Sequence, residues 1–263
     1  MPGSNRIGVG HLFCLDTNVI NDLWLVGVGT GSLAHITQEG AQALRDAHAI
    51  LLPQKGTGKD DLAEIRMRIL TECGATGRIV PFEYPVRDPE LPYLDRVNHW
   101  HDQIAARWVD ALAKTELAGP VALLVWGDPS LYDSTMRIAR RLSPAPNIRV
   151  VPGITALQAL TAAHAIPLNT LNGPVTITTG RRLREQGWPE DAETVAVMLD
   201  GEASFQSLSD DDLYIWWGAF LGMPEQVLES GPLAETAARI VETRKAARAQ
   251  HGWLMDTYLL RRT

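Results

Sequence analysis

The first clearly patterned stretch of the chain is residues 23–32, with the sequence LWLVGVGTGS. Its short apolar run ends in glycines, which predicts a buried strand over 23–28 followed by a tight loop. Ser32 then predicts the N-cap of a helix that reaches about Ala47, because apolar residues recur at helical spacing at positions 33, 36, 43, 44 and 47. A strand, a glycine loop and a helix in this order predict the start of an α/β fold.

Strands and helices alternate from this stretch to about residue 166. Further strands are predicted at 49–53, 78–82, 121–126 and 148–151, and helices from residue 61 and at 94–117, 130–142 and 154–164. Such alternation implies a mainly parallel sheet with crossover helices. We therefore predict an N-terminal α/β domain over residues 23–166, preceded by an N-terminal extension over residues 1–22.

The sequence pattern changes after a segment at 167–174 that is rich in proline, asparagine and glycine. Beyond it the predicted strands are shorter and more β-branched, at 175–179, 194–199, 213–217 and 253–260. Helices are predicted near 224–228 and 233–249. This pattern predicts a second α/β domain over residues 167–263 with a mixed sheet.

Composition excludes several classes of function for this chain of 263 residues. Its formal net charge of −7 disfavours binding to nucleic acid or to an anionic membrane surface, and no apolar run is long enough to cross a bilayer. Its two cysteines are too few for a disulfide framework. His99 and His101 are two positions apart on a predicted helix and do not face each other. We expect a cytoplasmic protein without a bound metal.

Three loops that each follow a predicted strand are the candidate sites of chemistry. They are the glycine loop at 27–31, the segment Gly127-Asp128-Pro129, and the segment Pro152-Gly153-Ile154-Thr155. In open α/β sheets, ligands bind at the carboxyl ends of the strands. The Asp128 carboxylate could accept a hydrogen bond from a ligand or cap the following helix, and the spacing alone does not separate these two interpretations.

A glycine loop after the first strand is also typical of nicotinamide-dependent oxidoreductases, which are the alternative function. The dinucleotide fingerprint requires Gly-x-Gly-x-x-Gly and a carboxylate after the second strand. Here Ser32 occupies the sixth place, and the second strand ends in Pro53-Gln54-Lys55 without a carboxylate. The fingerprint is therefore incomplete, which makes this alternative the less favoured one.

Taken in order, the three loops resemble the signature motifs of the tetrapyrrole methylase family. The resemblance rests on VGVGTGS at 26–32, on Gly127-Asp128-Pro129 with Tyr132, and on PGITA at 152–156. It implies S-adenosylmethionine as cofactor, S-adenosylhomocysteine as product, a cofactor cleft between two domains, and a homodimer. The cofactor-binding residues that it implies are Thr30, Trp126, Gly127, Asp128, Leu131, Tyr132, Thr155, Ala156, Met198, Leu199, Gly218 and Ala219.

Other segments resemble one branch of that family. They include Lys55-Gly56, Trp100-His101, MLDG at 198–201 and IWWGA at 215–219. The branch methylates carbon 1 of precorrin-5 and releases the carbon-20 acetyl group as acetate. A C-methyltransferase acting on another carbon of a tetrapyrrole would carry the same three loops, so that alternative stays open.

The substrate of this branch is a macrocycle with several carboxylates, which basic side chains would hold. The candidates are Lys55, Lys59, Arg181, Arg182 and Arg184. Removal of an acetyl group also requires a base that helps water to attack the carbonyl carbon. Asp128, Asp200 and Tyr132 are the candidate catalytic groups, and the sequence does not choose among them.

Overall fold

The computed structural model describes residues 20–54, 61–116, 118–208 and 212–262. Lys55 and Lys59, two of the predicted substrate-binding residues, lie outside the described residues. The strands are β1 Asp22–Gly27, β2 Ala49–Gln54, β3 Arg78–Glu83, β4 Val121–Val125, β5 Asn147–Val151, β6 Val175–Thr179, β7 Thr194–Met198, β8 Leu213–Ala219, β9 Val227–Pro232 and β10 Asp256–Arg262. The helices are α1 Gln38–Asp46, α2 Asp61–Cys73, α3 Tyr93–Leu112, α4 Thr135–Ala139, α5 Ala156–Ala163, α6 Gly180–Gln186 and α7 Leu233–His251.

The first five strands form one parallel sheet in the order β3-β2-β4-β1-β5. One face packs its apolar side chains, such as Leu25 and Leu51, against Trp108 and other residues of α3. The opposite face packs Val26 and Ile50 against α1 and α2. Helices on both faces of a parallel sheet are the arrangement that the alternating sequence predicted, and that prediction is confirmed.

The remaining strands form a second sheet in the order β6-β7-β10-β8-β9. Only β6 and β7 are parallel, whereas β10 runs antiparallel to both β7 and β8, so the predicted mixed sheet is confirmed. Helix α7 packs on one face of this sheet. Helix α5, which follows the first sheet, packs Leu160 on the other face against Leu221 and Leu259. The two sheets are therefore joined by packing as well as by the chain.

Several predicted helices differ from the structure. Ser32 caps only a short 3₁₀ turn at Leu33–His35, and α1 begins later, with Thr37 as its N-cap. The helix predicted over 130–142 is reduced to α4, because the chain turns at Tyr132 with a φ of 50°. Helix α3 ends at Leu112 and not at 117. The helix predicted near 224–228 is wrong, since β9 occupies residues 227–232.

Helix α6 and the start of the first strand are two further differences. The predictions did not include α6, which follows β6 directly and whose N-cap is Thr179. Strand β1 begins at Asp22, and Ile20 is buried in the first core, so the last residues of the predicted extension pack with the first domain. Within the described residues, no helix has both the length and the apolar character needed to cross a membrane.

Candidate active site

The three predicted loops meet because β4, β1 and β5 are neighbours in the parallel sheet and end at the same edge. Gly29 and Gly127 exchange backbone hydrogen bonds, with N···O distances of 3.3 and 2.7 Å. Gly27 and Gly153 approach so closely that a Cβ on Gly27 would lie 2.6 Å from the Gly153 nitrogen. The ends of the three strands are therefore held together by backbone contacts that are too close for any residue with a Cβ atom.

Asp128 connects the second loop to the third. Its Oδ1 accepts hydrogen bonds from the Ser130 hydroxyl and from the Ser130 N–H, the latter at 2.7 Å, and its Oδ2 accepts one from the Gly153 N–H at 2.9 Å. Burial opposes ionisation of this carboxyl, but these hydrogen bonds outweigh it and hold its pKa below the ordinary value. The capping interpretation is wrong, because no helix begins at Ser130 and α4 starts only at Thr135. Asp128 lines the cavity described below, so a ligand contact of its carboxylate stays a prediction.

The first loop is tied to the second sheet by Thr30. Its hydroxyl donates to the Leu221 carbonyl oxygen at 2.6 Å and therefore accepts from His35 Nδ1, at 2.9 Å. The second loop makes a similar connection, because the Tyr132 hydroxyl donates to the Ile177 carbonyl oxygen at 3.1 Å. These two bonds fix the loops of the parallel sheet relative to the mixed sheet.

A cavity of about 320 Å³ lies where the loops meet the second sheet, a volume typical of small-molecule sites. The loops of the first sheet contribute Thr30, Trp126, Gly127, Asp128, Leu131, Tyr132, Thr155 and Ala156. The second sheet contributes Met198 and Leu199 from the end of β7. The structure therefore brings ten of the twelve predicted cofactor-binding residues to one cavity.

Gly218 and Ala219 do not line this cavity. They still belong to β8, and a Cβ on Gly218 would lie against Leu221 and Leu228 instead of open space. The cavity is reached two residues later, by Phe220 and Leu221. The sequence prediction ended the strand at 217 and so placed the turn too early.

Sequence reasoning missed several lining residues. They are Asp133, Gly201, Phe220, Leu221, Arg248, Leu254, Met255, Asp256 and Thr257. Residues 254–257 were predicted to lie inside a strand beginning at 253, whereas β10 begins at Asp256 and its first residues reach the cavity. No local motif marks them, since they reach the site only through the long-range pairing of β10 between β7 and β8.

Backbone strain concentrates at this cavity. Tyr132, Leu199 and Phe220 all line it and have φ values of 50°, 54° and 50°. A non-glycine residue with such a backbone costs on the order of 1 kcal/mol or more, and such residues cluster at functional sites. The surrounding hydrogen bonds, such as that from the Tyr132 hydroxyl, hold this unfavourable geometry in place.

A buried polar network supports the floor of the cavity. The Arg244 guanidinium pairs with Asp256 at 2.7 Å and donates to the Asp200 carbonyl oxygen at 2.5 Å. The Asp200 carboxylate accepts from the hydroxyl of Tyr258, and the side chain of Asp256 accepts from the Trp217 indole N–H. Burial raises the pKa of Asp256 in spite of Arg244, and burial with the Asp200 charge raises the pKa of Tyr258.

The cavity wall is acidic. Asp128, Asp133, Asp200 and Asp256 line it, and they outnumber the two nearby cations, Arg248 in the wall and Arg244 behind Asp256. The start of the nearby helix α5 is largely occupied by its own side chains, because the capping box of Thr155 and Gln158 accepts from the N–H groups of Thr155, Leu157 and Gln158. An acidic, largely apolar cavity favours a cationic organic ligand and disfavours a pyrophosphate. The residues present therefore fit a sulfonium cofactor, whose charge is positive.

The predicted substrate-binding arginines lie on α6. Arg184 donates to the Ser204 hydroxyl and pairs with Glu202, and Arg182 donates to Gln186. Arg181 lies 4.1 Å from the centre of the Tyr93 ring and so bridges the two domains. Among the described residues, no three histidine, cysteine or acidic side chains form a cluster that could hold a metal.

Comparison with known proteins gives concordant matches. Residues 22–237 match the sequence model of the tetrapyrrole (corrin/porphyrin) methylases. The chain is 47% identical over 247 residues to precorrin-6A synthase [deacetylating] of Sinorhizobium sp, covering 90% of this chain and 94% of that protein.

Solved structures agree with these sequence matches. A cobalamin synthesis related protein, CobF, from Corynebacterium diphtheriae superposes with a TM-score of 0.79 at 38% identity, covering 93% of this chain and 99% of that chain. A uroporphyrin-III C-methyltransferase from Thermus thermophilus, in complex with S-adenosylhomocysteine, shares the fold with a TM-score of 0.56 at 18% identity, covering 91% and 92%.

Proposed function

The chain belongs to the tetrapyrrole (corrin/porphyrin) methylase family, and from that premise we propose that it is a precorrin-6A synthase. It would transfer a methyl group from S-adenosylmethionine to carbon 1 of precorrin-5 and release the carbon-20 acetyl group as acetate, in cobalamin biosynthesis. The similarity to the Sinorhizobium synthase, which extends over nearly the whole of both chains, supports this assignment over another tetrapyrrole C-methyltransferase.

The observation that carries the proposal is the character of the cavity between the two sheets. Its acidic and apolar wall suits a positively charged sulfonium that also presents an adenosine group. A nicotinamide dinucleotide requires a helix N-terminus directly after the glycine loop for its pyrophosphate. Here α1 begins only at Gln38, so the oxidoreductase alternative lacks its anion site.

The sulfonium cofactor supplies an activated methyl group when bound. The protein's part is to orient both reactants and to exclude water from the methyl group. Leu131, Met198 and Leu221 give the cavity its apolar wall, while the tether from Thr30 to the Leu221 carbonyl keeps both sheets at a fixed separation. We assign the cofactor to the ten predicted residues that line this cavity and not to Gly218 or Ala219.

The substrate would lie at the open side of the cavity. Among the α6 arginines we propose Arg181 for a macrocycle carboxylate, because it lies over the Tyr93 ring of the first domain and makes only an exposed ion pair with Glu185 at 3.8 Å. Arg184, in contrast, is bonded to both Ser204 and Glu202. Lys55 and Lys59 stay predictions. We further propose that the enzyme acts in the cytoplasm as a homodimer, as its family resemblance implies.

The cofactor class is tested by calorimetric titration of the purified chain with S-adenosylhomocysteine and, separately, with NADH. We expect saturable binding of S-adenosylhomocysteine with one site per chain and no heat from NADH, because the cavity wall is acidic and the anion site is absent. Binding of NADH alone would contradict the methyltransferase assignment and favour the oxidoreductase.

A further inference from the structure

The carboxylates that line the cavity differ in how fully they are engaged. Both oxygens of Asp128 accept hydrogen bonds from the protein, and those of Asp200 accept four, from the Glu202 and Ser204 N–H groups, the Ser204 hydroxyl and the Tyr258 hydroxyl. Asp256 is paired with Arg244. Each of these three carboxylates is therefore occupied by groups of the protein itself and helps to hold the site together.

Asp133 is engaged differently. Its Oδ1 accepts a hydrogen bond from the Thr135 N–H at 2.6 Å, but within the described part of the chain its Oδ2 accepts none. The neighbouring Arg137 donates to the backbone carbonyl oxygen of Asp133, at 2.8 Å, and not to the carboxylate. Asp133 therefore lines the cavity with one carboxylate oxygen free to accept a proton.

Asp133 lies in the loop between β4 and α4, and it lines the cavity together with its neighbour Tyr132. Burial raises the pKa of the Tyr84 phenol, which directly follows β3; the charge of Arg66 opposes this rise and the charge of Asp133 adds to it. Arg66 in turn lies 5.1 Å from the centre of the Trp126 ring, which lines the cavity. The loops that we assign to the cofactor follow β4, β1 and β5, whereas β2 and β3 lie at the other side of the sheet. A second ligand would therefore lie at the carboxyl ends of β2 and β3.

We propose that Asp133 is the general base of the deacetylation, an assignment that rests on the proposed function. Asp133 takes a proton from water while the water oxygen bonds to the acetyl carbonyl carbon. The bond between that carbon and the macrocycle then breaks, acetic acid leaves, and the electron pair stays on the conjugated macrocycle as the nucleophile for the methyl group. One water is consumed: its oxygen and one of its hydrogens leave in the acetic acid, and the other hydrogen passes as a proton from Asp133 to solvent.

The test compares the variants Asp133→Asn and Asp133→Ala with the wild type, using precorrin-5 and S-adenosylmethionine. Acetate release and S-adenosylhomocysteine formation are measured in a single turnover. We expect Asp133→Asn to slow acetate release by about 100-fold or more, the usual contribution of a general base, while it still binds S-adenosylhomocysteine. Sodium formate should restore acetate release to Asp133→Ala, because formate can occupy the vacated space and accept the proton.

Asp128→Ala is the matched control, since it removes a carboxylate from the same loop whose role is to hold Ser130 and Gly153. Formate should not restore its activity. Wild-type acetate release by Asp133→Asn, or absence of formate rescue in Asp133→Ala, would overturn the assignment of Asp133 alone. A wild-type enzyme that methylates without releasing acetate would overturn the proposed function, and the assignment with it.

Discussion

Substitution of Gly153 by alanine is expected to weaken binding of S-adenosylhomocysteine strongly. The new Cβ would lie 2.7 Å from the Gly27 carbonyl carbon and closer still to the Gly127 carbonyl oxygen. Both neighbours are backbone atoms held at the sheet edge, since Gly27 ends β1 and Gly127 follows β4 and bonds to Gly29, so neither can move without separating the loops that form the cavity. We expect the dissociation constant to rise by roughly 100-fold or more, equivalent to about 2.7 kcal/mol, and the protein to lose about 1–3 kcal/mol of stability from overpacking.

Gly74→Ala is the control for this experiment, because Gly74 follows α2, has a φ of 69°, and has nothing within 4 Å of its added Cβ. It should lower the stability by about 1 kcal/mol through its backbone conformation and leave the affinity for S-adenosylhomocysteine unchanged. Calorimetric titration of both variants gives the comparison. Wild-type affinity in Gly153→Ala would show that the close approach of the loops does not form the site.

Substitution of Arg244 by methionine is expected to cost the largest amount of folding stability. The Arg244–Asp256 pair has side chains only 10% and 7% exposed. Removal of the cation would leave the buried Asp256 carboxylate with the Trp217 indole as its remaining partner and the Asp200 carbonyl oxygen without its donor. Breaking a buried pair in this way costs about 3–5 kcal/mol, to be measured by urea unfolding at neutral pH.

Arg239→Met is the matched control on the same helix, because Arg239 pairs with Glu229 at 2.6 Å but is 53% exposed. An exposed pair contributes no more than about 1 kcal/mol. Equal losses in the two variants would contradict the role given to the buried network. The double variant Arg244→Met with Asp256→Leu should recover part of the loss, since it leaves no unpaired charge.

The sequence predicted the first sheet and its loops well because the information there is local. Strands β1 and β4 are compact apolar runs, and a glycine or a proline stands at or within two residues of the end of β1, β4 and β5. Neighbouring parallel strands bring such ends together. Eight of the predicted cofactor-binding residues lie in these loops, and the structure brings all eight to one cavity. The turn at Tyr132 could not be predicted from the sequence, since its positive φ is held by a hydrogen bond to Ile177, 45 residues away.

The second domain is predicted less well because its part of the site depends on contacts between residues far apart in the sequence. Its part of the cavity comes from Phe220 and Leu221 after β8 and from residues 254–257 at the start of β10. Their positions depend on the register of β8 and β10, in which Ala219 pairs with Asp256. The spacing of apolar residues does not determine such a register. The sequence therefore indicates Gly218 and Ala219, whereas the next two residues, Phe220 and Leu221, reach the cavity.

The most direct test of the central claim is a turnover measurement with the wild-type chain, precorrin-5 and S-adenosylmethionine labelled in its methyl group. The label in the macrocycle and the acetate released are quantified together. The account predicts one labelled methyl group transferred to carbon 1 and one acetate released per macrocycle. Transfer of no label to precorrin-5, or transfer to another carbon without release of acetate, would contradict it.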